Sequence, residues 1–274
     1  MNLEASFLAA FLDGSPLADG RLSVHVLSPV FQHGEGLFET LPVLGGVPVF
    51  LERHLQRMAR SAHELRLGEP PSIEVWECDF RNLMEVVPEG AGDLVLRLFF
   101  FRGREGMRRL VAATPLEKGL DAPCSLGTAA PPFQGVRPLA RHKTMNYLVP
   151  RLALQEGMER GCDEVVFLMD DGTVLEGSRS TVFVVRDGVA STPPHDLPIL
   201  PGVTREVLLE VARETGVPVR EEVFTLADLE QADEVFLTSS LRGVRPVKRL
   251  PGGRTLPAPG PLTEALGAGY RRRL

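Results

Sequence analysis

The chain has 274 residues, 43% of them hydrophobic and 24% charged, with a formal net charge of −6. That is enough for one large or two smaller globular domains with a core and a cleft. The acidic balance argues against nucleic acid or an anionic membrane surface as a main partner. Cys78, Cys124 and Cys162 stand far apart and form no CxxC pair, which excludes a disulfide frame or zinc knuckle and fits a reducing compartment. The opening residues carry Glu4, have no basic stretch, and break their apolar run at Asp13 and Gly14, so they do not read as a signal peptide. No apolar run reaches membrane-spanning length, and the expected location is the cytoplasm.

Up to residue 50 the chain alternates apolar runs with turns, and Asp13-Gly14 and Gly45-Gly46 mark hairpins. Leu51, Leu55, Met58, Ala62 and Leu65 recur at spacings of three and four, which predicts a helix ended by Gly68. A second helix is predicted in residues 72–87 and a strand in DLVLRLFFFRG. Residues 116–138 are rich in Pro, Gly and Ala and read as an interdomain linker between a smaller α/β domain, 1–115, and a larger one, 139–274. Beyond it come a helix beginning at Lys143, a hairpin about Asp171-Gly172, a helix in GVTREVLLEVARETG, and a strand running into a small-residue turn in ADEVFLTSSLRGVRPV. Strands and helices mix in both halves, so the fold class is α/β or α+β with two domains.

Of 30 basic residues only Lys118, Lys143 and Lys248 are lysine. Arginine cannot lose its proton at working pH, and lysine can. Lys118 lies in a turn and Lys248 in a basic run after a strand, so both read as solvated. Lys143 is predicted to open a helix whose Met145, Leu148, Val149 and Leu152 imply burial nearby. The helix dipole, partial burial and Arg141 would all depress its pKa, as a Schiff-base lysine requires. On spacing alone, a surface lysine at a helix start is the simpler reading.

Glu176, among Gly177, Ser178 and Ser180, is either a hairpin-edge charge or the acceptor that keeps a pyridine nitrogen protonated. Val203 and Thr204 open a helix, with Thr204 as its expected N-cap, and a helix start favours an anion. Ser239 and Ser240 follow an apolar strand, and Arg57 lies one helical turn from His54. Singly, each also fits an ordinary cap, strand end or solvated face. Gly34-Glu35-Gly36 is no dinucleotide fingerprint, the six histidines show no metal-ligand spacing, and no GxSxG is present.

Taken in order, VHVLSPVFQHGEGLFET, HLQRM, HKTMNYL, DDGTVLEGSRSTVF, ILPGVTREVL and ADEVFLTSSLRGVRPV resemble the fold-type IV pyridoxal 5′-phosphate (PLP) enzymes over residues 22–247. That family holds branched-chain aminotransferases, D-amino acid aminotransferases and 4-amino-4-deoxychorismate lyases. The resemblance implies a two-domain fold, a homodimer and PLP as cofactor. It makes Lys143 the Schiff-base lysine and Glu176 the partner of the pyridine nitrogen. It assigns Arg57, Val203, Thr204, Ser239 and Ser240 to the phosphate, and turns Arg97 toward the substrate. The chain departs from the family at Thr181, where asparagine is usual, and lacks the Arg-x-His trap of the D-amino acid enzymes. It reads LFETLP for VFEGIR, and carries His33 at an aromatic position that would face substrate.

GLFET and TSSLRGVRPV look most like the lyase branch, whose reaction releases pyruvate and yields 4-aminobenzoate for folate biosynthesis. Lys143 would then act as general base and Thr40 as a hydroxyl near the leaving group, with Arg97 receiving a carboxylate; the Arg104–Arg109 loop reads first as a surface charge run. An aminotransferase using 2-oxoglutarate is the main alternative, supported by the branched-chain-like VHVLSP. A non-enzymatic binding module would make Lys143 and Glu176 coincidences.

Overall fold

The apolar runs of residues 36–44 and 93–103 become the centre of a six-stranded antiparallel sheet in the computed structural model, which describes residues 8–17 and 20–274. Glu4 and the start of the opening segment lie outside the described residues. The strands are β1 (Ala9–Leu12), β2 (Ser15–Pro16), β3 (Gly36–Leu44), β4 (Val47–Pro48), β5 (Leu94–Arg102) and β6 (Met107–Pro115), in the order β2-β1-β6-β5-β3-β4. The expected hairpins turn at Asp13-Gly14 and Gly45-Gly46, where both residues of each pair have positive φ. After the short helix α1 (Pro29–His33), helices α2 (Leu51–Glu64) and α3 (Ile73–Val86) pack on this sheet. Their apolar stripes bury Leu55, Met58, Trp76 and Leu83 against Leu41, Leu96 and Val111.

The second sheet has eight strands. They are β7 (Cys124–Thr128), β8 (Glu164–Leu168), β9 (Val174–Gly177), β10 (Thr181–Arg186), β11 (Val189–Thr192), β12 (Val219–Glu221), β13 (Glu234–Ser239) and β14 (Gly243–Arg249), ordered β12-β11-β10-β13-β14-β7-β8-β9. Parallel and antiparallel pairs mix, and α4 (Leu148–Glu159), α5 (Val203–Thr215) and α7 (Pro261–Arg271) cover it, with α6 (Leu226–Glu230) a single capped turn. No helix among the described residues is long and apolar enough to cross a membrane.

The two sheets belong to two units, one ending at Lys118 but including residues 142–146, the other holding 119–141 and 147–274. This differs from the sequence reading in three places. The stretch 116–138, read as linker, contains β7, a buried strand bonded to both β14 and β8. Lys248, read as following a strand, lies within β14. The third difference is at Lys143.

Lys143 does not open a helix. Residues 143–145 run extended along β3: Phe38 N–H donates to Lys143 O at 2.9 Å, Met145 N–H to Gly36 O at 2.9 Å, and Thr144 bridges Leu37. Helix α4 starts only at Leu148, which places Pro150 in its first turn, where a missing N–H is harmless. Leu148 and Val149, expected to imply burial, are exposed; α4 buries Pro150, Ala153, Leu154 and Gly157 instead. Lys143 therefore does not sit at a helix N-terminus, and the expected helix dipole does not act there.

Gly36 is what lets this segment dock. A Cβ there would lie 2.6 Å from Met145 Sδ and 2.7 Å from Phe101 Cβ. Gly36→Ala is expected to destabilise by about 1–3 kcal/mol through overpacking. Urea denaturation would measure this, and an unchanged midpoint would show that the docking tolerates the methyl group.

Candidate active site

In the first unit the site grows from alternation along β3. Leu37, Glu39 and Leu41 point to the helix side and are buried, while Phe38 and Thr40 point the other way. A carboxylate in a buried apolar row needs partners, and α2 supplies them. His54 and Arg57, three residues apart on one helix face, both reach Glu39. Arg57 Nε and Nη2 donate to the two Glu39 oxygens at 2.8 and 2.6 Å, a bidentate pair, and His54 Nδ1 lies 2.6 Å from Oε2. Since a carboxylate only accepts, the ring carries its proton on Nδ1.

Burial pushes the Glu39 carboxyl up, but Arg57 and His54 together outweigh it and bring it from 4.5 down to about 2. Burial also lowers His54 below its usual 6.5, against the pull of Glu39 and with help from Arg57 and Lys143. Both groups hold fewer protons when folded than unfolded, so both stabilise the fold at high pH and lose that contribution as pH falls. Urea midpoints are expected to start falling below pH 6.5 and to fall more steeply from 4.5 toward 2. Glu39→Gln should flatten the lower limb; a limb of unchanged slope would assign the acid sensitivity elsewhere.

On the other face of β3, Phe38 pairs with Phe99 and Thr40 with Arg97 across β5. The Lys143 ammonium lies 4.4 Å from the Phe38 ring centroid, and the two phenyl rings stack with centroids 6.2 Å apart. Arg97, half-buried and held below its ordinary value by that burial, donates to Thr114 Oγ1 at 2.8 Å. The structure thus gathers Lys143, Thr40 and Arg97 on one sheet face and backs it with Arg57. His33 is exposed at the end of α1.

In the second unit Glu176 is buried at the end of β9. Its Oε1 is ion-paired with Arg137, and Oε2 accepts the Leu200 N–H at 2.9 Å. Arg137 in turn lies 4.0 Å over the Phe167 ring. Tyr147 donates its hydroxyl to Ser178 O at 2.8 Å. Burial, then Glu176 and Glu164, push that phenol well above its usual range.

The other expected residues of this unit lie at element ends. Val203 and Thr204 are the first two residues of α5 and are buried, but Gly202 holds the N-cap position expected of Thr204. The Thr204 side chain is hydrogen-bonded to Tyr270 instead. A Cβ on Gly202 would lie 2.8 Å from Thr181 Oγ1, so the threonine at the family's asparagine position packs directly on this helix start. Ser239 ends β13 and Ser240 begins the turn after it; Thr238 Oγ1 beside them is buried with no hydrogen-bond partner among the described residues.

Sequence reasoning missed Glu39, His54, Arg137 and Tyr147. Glu39 was findable, as the carboxylate at an inward position between Leu37 and Leu41. Arg137 lay in the stretch read as linker, and no local spacing ties it to Glu176.

Comparison with known proteins follows the same lines. Residues 36–250 match the family model for amino-transferase class IV. The chain is 34% identical over 275 residues to the bifunctional aminodeoxychorismate lyase / D-amino acid transaminase of Mycobacterium tuberculosis, covering 89% of this chain and 91% of the other. Its fold superposes with a TM-score of 0.89 on the branched-chain aminotransferase of Thermoproteus uzoniensis solved with norvaline, at 28% identity over 97% of this chain and 94% of that one. A hypothetical aminotransferase from Mycobacterium tuberculosis in its PLP-bound form matches at 0.85 and 28% identity, over 97% and 98% of the two chains.

Proposed function

The chain belongs to the class IV amino-transferase family, and on that premise we propose that it is a cytoplasmic PLP enzyme that eliminates pyruvate from 4-amino-4-deoxychorismate to leave 4-aminobenzoate. The observation that carries the reading is the Thr40–Arg97 pair across β3 and β5, on the face where the Lys143 amine lies. A hydroxyl beside a guanidinium suits a substrate that brings a carboxylate and a departing oxygen together. The likeness to the Mycobacterium tuberculosis lyase/transaminase supports the same reading.

The donor chemistry fits PLP in each unit taken singly. In the first, the buried Arg57 suits a phosphate and Lys143 suits an aldehyde. In the second, Glu176 suits a protonated ring nitrogen, with Arg137 and Leu200 N–H fixing its direction. The N–H groups that open α5 at Val203 and Thr204, and the hydroxyls of Ser239 and Ser240, suit phosphate. When bound, PLP draws electrons from the carbon that bears the substrate amine and so makes its hydrogen acidic. Lys143 Nζ takes that proton at C4. Thr40 offers its hydroxyl to the ether oxygen at C3 as the C3–O bond breaks, and Arg97 holds the substrate carboxylate.

An aminotransferase is the second reading, favoured by the superposition on the Thermoproteus enzyme. There Lys143 moves the same proton without expulsion of pyruvate. The test is to supply aminodeoxychorismate and measure pyruvate. Stoichiometric pyruvate is expected; its absence, together with 2-oxoglutarate-dependent consumption of leucine, would replace the lyase with the aminotransferase. We further propose a homodimer, which sedimentation velocity measures directly.

A further inference from the structure

Thr181 at the start of β10 pairs with Thr238 near the end of β13. The turn before β10 and the turn after β13 therefore leave the eight-stranded sheet at the same end. The first is closed by Gly177 N–H to Ser180 O at 2.7 Å and carries Arg179; the second, with Arg242 N–H to Ser239 O at 3.2 Å, carries Arg242. Arg245 follows on β14, opposite Leu237.

One nearby carboxylate, Glu164, is ion-paired with Arg179 and also favours the Arg242 cation, but a single negative charge faces three arginines. Glu164 Oε1 already accepts from Val165 N–H at 3.0 Å, Ser178 N–H at 3.1 Å and the Ser178 hydroxyl, and Oε2 from the Ser180 hydroxyl at 3.2 Å. Arg179 Nε stands 3.8 Å from Oε2, beyond hydrogen-bond range, and is buried with no hydrogen-bond partner among the described residues. Arg245 spends its Nε on Ala122 O at 2.8 Å. Burial, then repulsion from Arg179 and Arg245, lower Arg242 to about 10, which leaves it a cation at neutral pH. This mutual repulsion costs energy that an anion between the guanidinium groups would recover. Arg179 directly follows Ser178, whose carbonyl oxygen accepts the Tyr147 hydroxyl at 2.8 Å, and lies three residues after Glu176. The arginines thus adjoin the residues of the same unit that suit the cofactor ring.

We propose that Arg179 and Arg242 form a fork for a substrate carboxylate, so that the enzyme selects substrates carrying a second carboxylate. The proposal rests on the PLP-enzyme reading above, and the shared chemistry covers both aminodeoxychorismate and 2-oxoglutarate.

Titration calorimetry of the PLP-loaded enzyme with two unreactive probes, glutarate and valerate, tests it. Glutarate should bind more tightly than valerate. Arg242→Gln and Arg179→Gln should each weaken glutarate about 10- to 100-fold, as expected for a hydrogen bond to a charged group, and valerate by less than about 3-fold. Arg242→Lys, which keeps the charge and guards against a folding defect, should fall between. Equal effects on both probes, or no preference in the unaltered enzyme, would overturn the fork. A rise in KM for aminodeoxychorismate or for 2-oxoglutarate in Arg242→Gln then identifies which substrate uses it. A glutarate preference in an enzyme inactive on both substrates supports the fork and overturns the proposed activity instead.

Discussion

Replacing Lys143 by alanine is expected to remove both the yellow colour of PLP-loaded protein and turnover, the latter by at least about 10²–10⁴-fold from the lost proton-transfer group alone. The expectation follows from placement. The segment 143–145 is pinned to β3 by two backbone hydrogen bonds, which make the Leu37–Thr144 bridge, and the amine rests on the Phe38 ring on the Thr40–Arg97 face. Lys118 and Lys248 are exposed and offer no substitute. Lys143→Arg should not restore activity, because a guanidinium stays protonated and cannot attack an aldehyde. Visible absorbance and a circular dichroism control decide the matter: an alanine variant that folds and keeps the colour would remove Lys143 from the cofactor.

The second large effect belongs to a residue that touches no substrate. Glu39→Ala leaves Arg57 buried without its bidentate partner and is expected to cost about 3–5 kcal/mol, the usual penalty for breaking a buried ion pair from one side. Its effect on PLP should be separable. A Glu39→Met, Arg57→Met double variant removes both charges and should regain much of the stability while binding PLP poorly, if Arg57 is the cation proposed for the phosphate. Urea denaturation and PLP titration read the two consequences apart. A single-variant loss below about 1 kcal/mol would show that the pair contributes little, as exposed pairs do.

The long amphipathic elements were legible in the sequence because their periods are carried by many residues at once. The stripe Leu51, Leu55, Met58, Ala62 marks α2, and the apolar run Leu94–Phe101, interrupted only at Arg97, marks β5. β7 was not legible: Cys-Ser-Leu-Gly-Thr is short, buried throughout apart from its last residue, and has no alternation to show. The start of α4 could have been placed better, since Pro150 would fall in mid-helix if the helix began at Lys143. The residues around it were misread for a tertiary reason: β4 covers only the far end of β3, so the near edge is left for residues 143–145 to pair with. Motif order singled out Lys143, Arg57 and Glu176 as candidates, whereas Glu39, His54 and Arg137 are defined by partners far away in sequence. Arg179 and Arg242 share that character, because the two turns become neighbours only through the β10–β13 register.

The excursion of residues 142–146 into the first unit also bears on how the protein is made. Domains fold as units, and the N-terminal one can begin while synthesis continues. Here the first unit is left without its last extended segment until the ribosome has released the opening of the second, since Lys143 reaches β3 only then. A nascent chain halted after residue 118 would expose the near edge of β3 and carry Arg57 without Lys143. On the proposed reading, the first unit would gain the amine assigned to the cofactor only after more than half of the chain has been made.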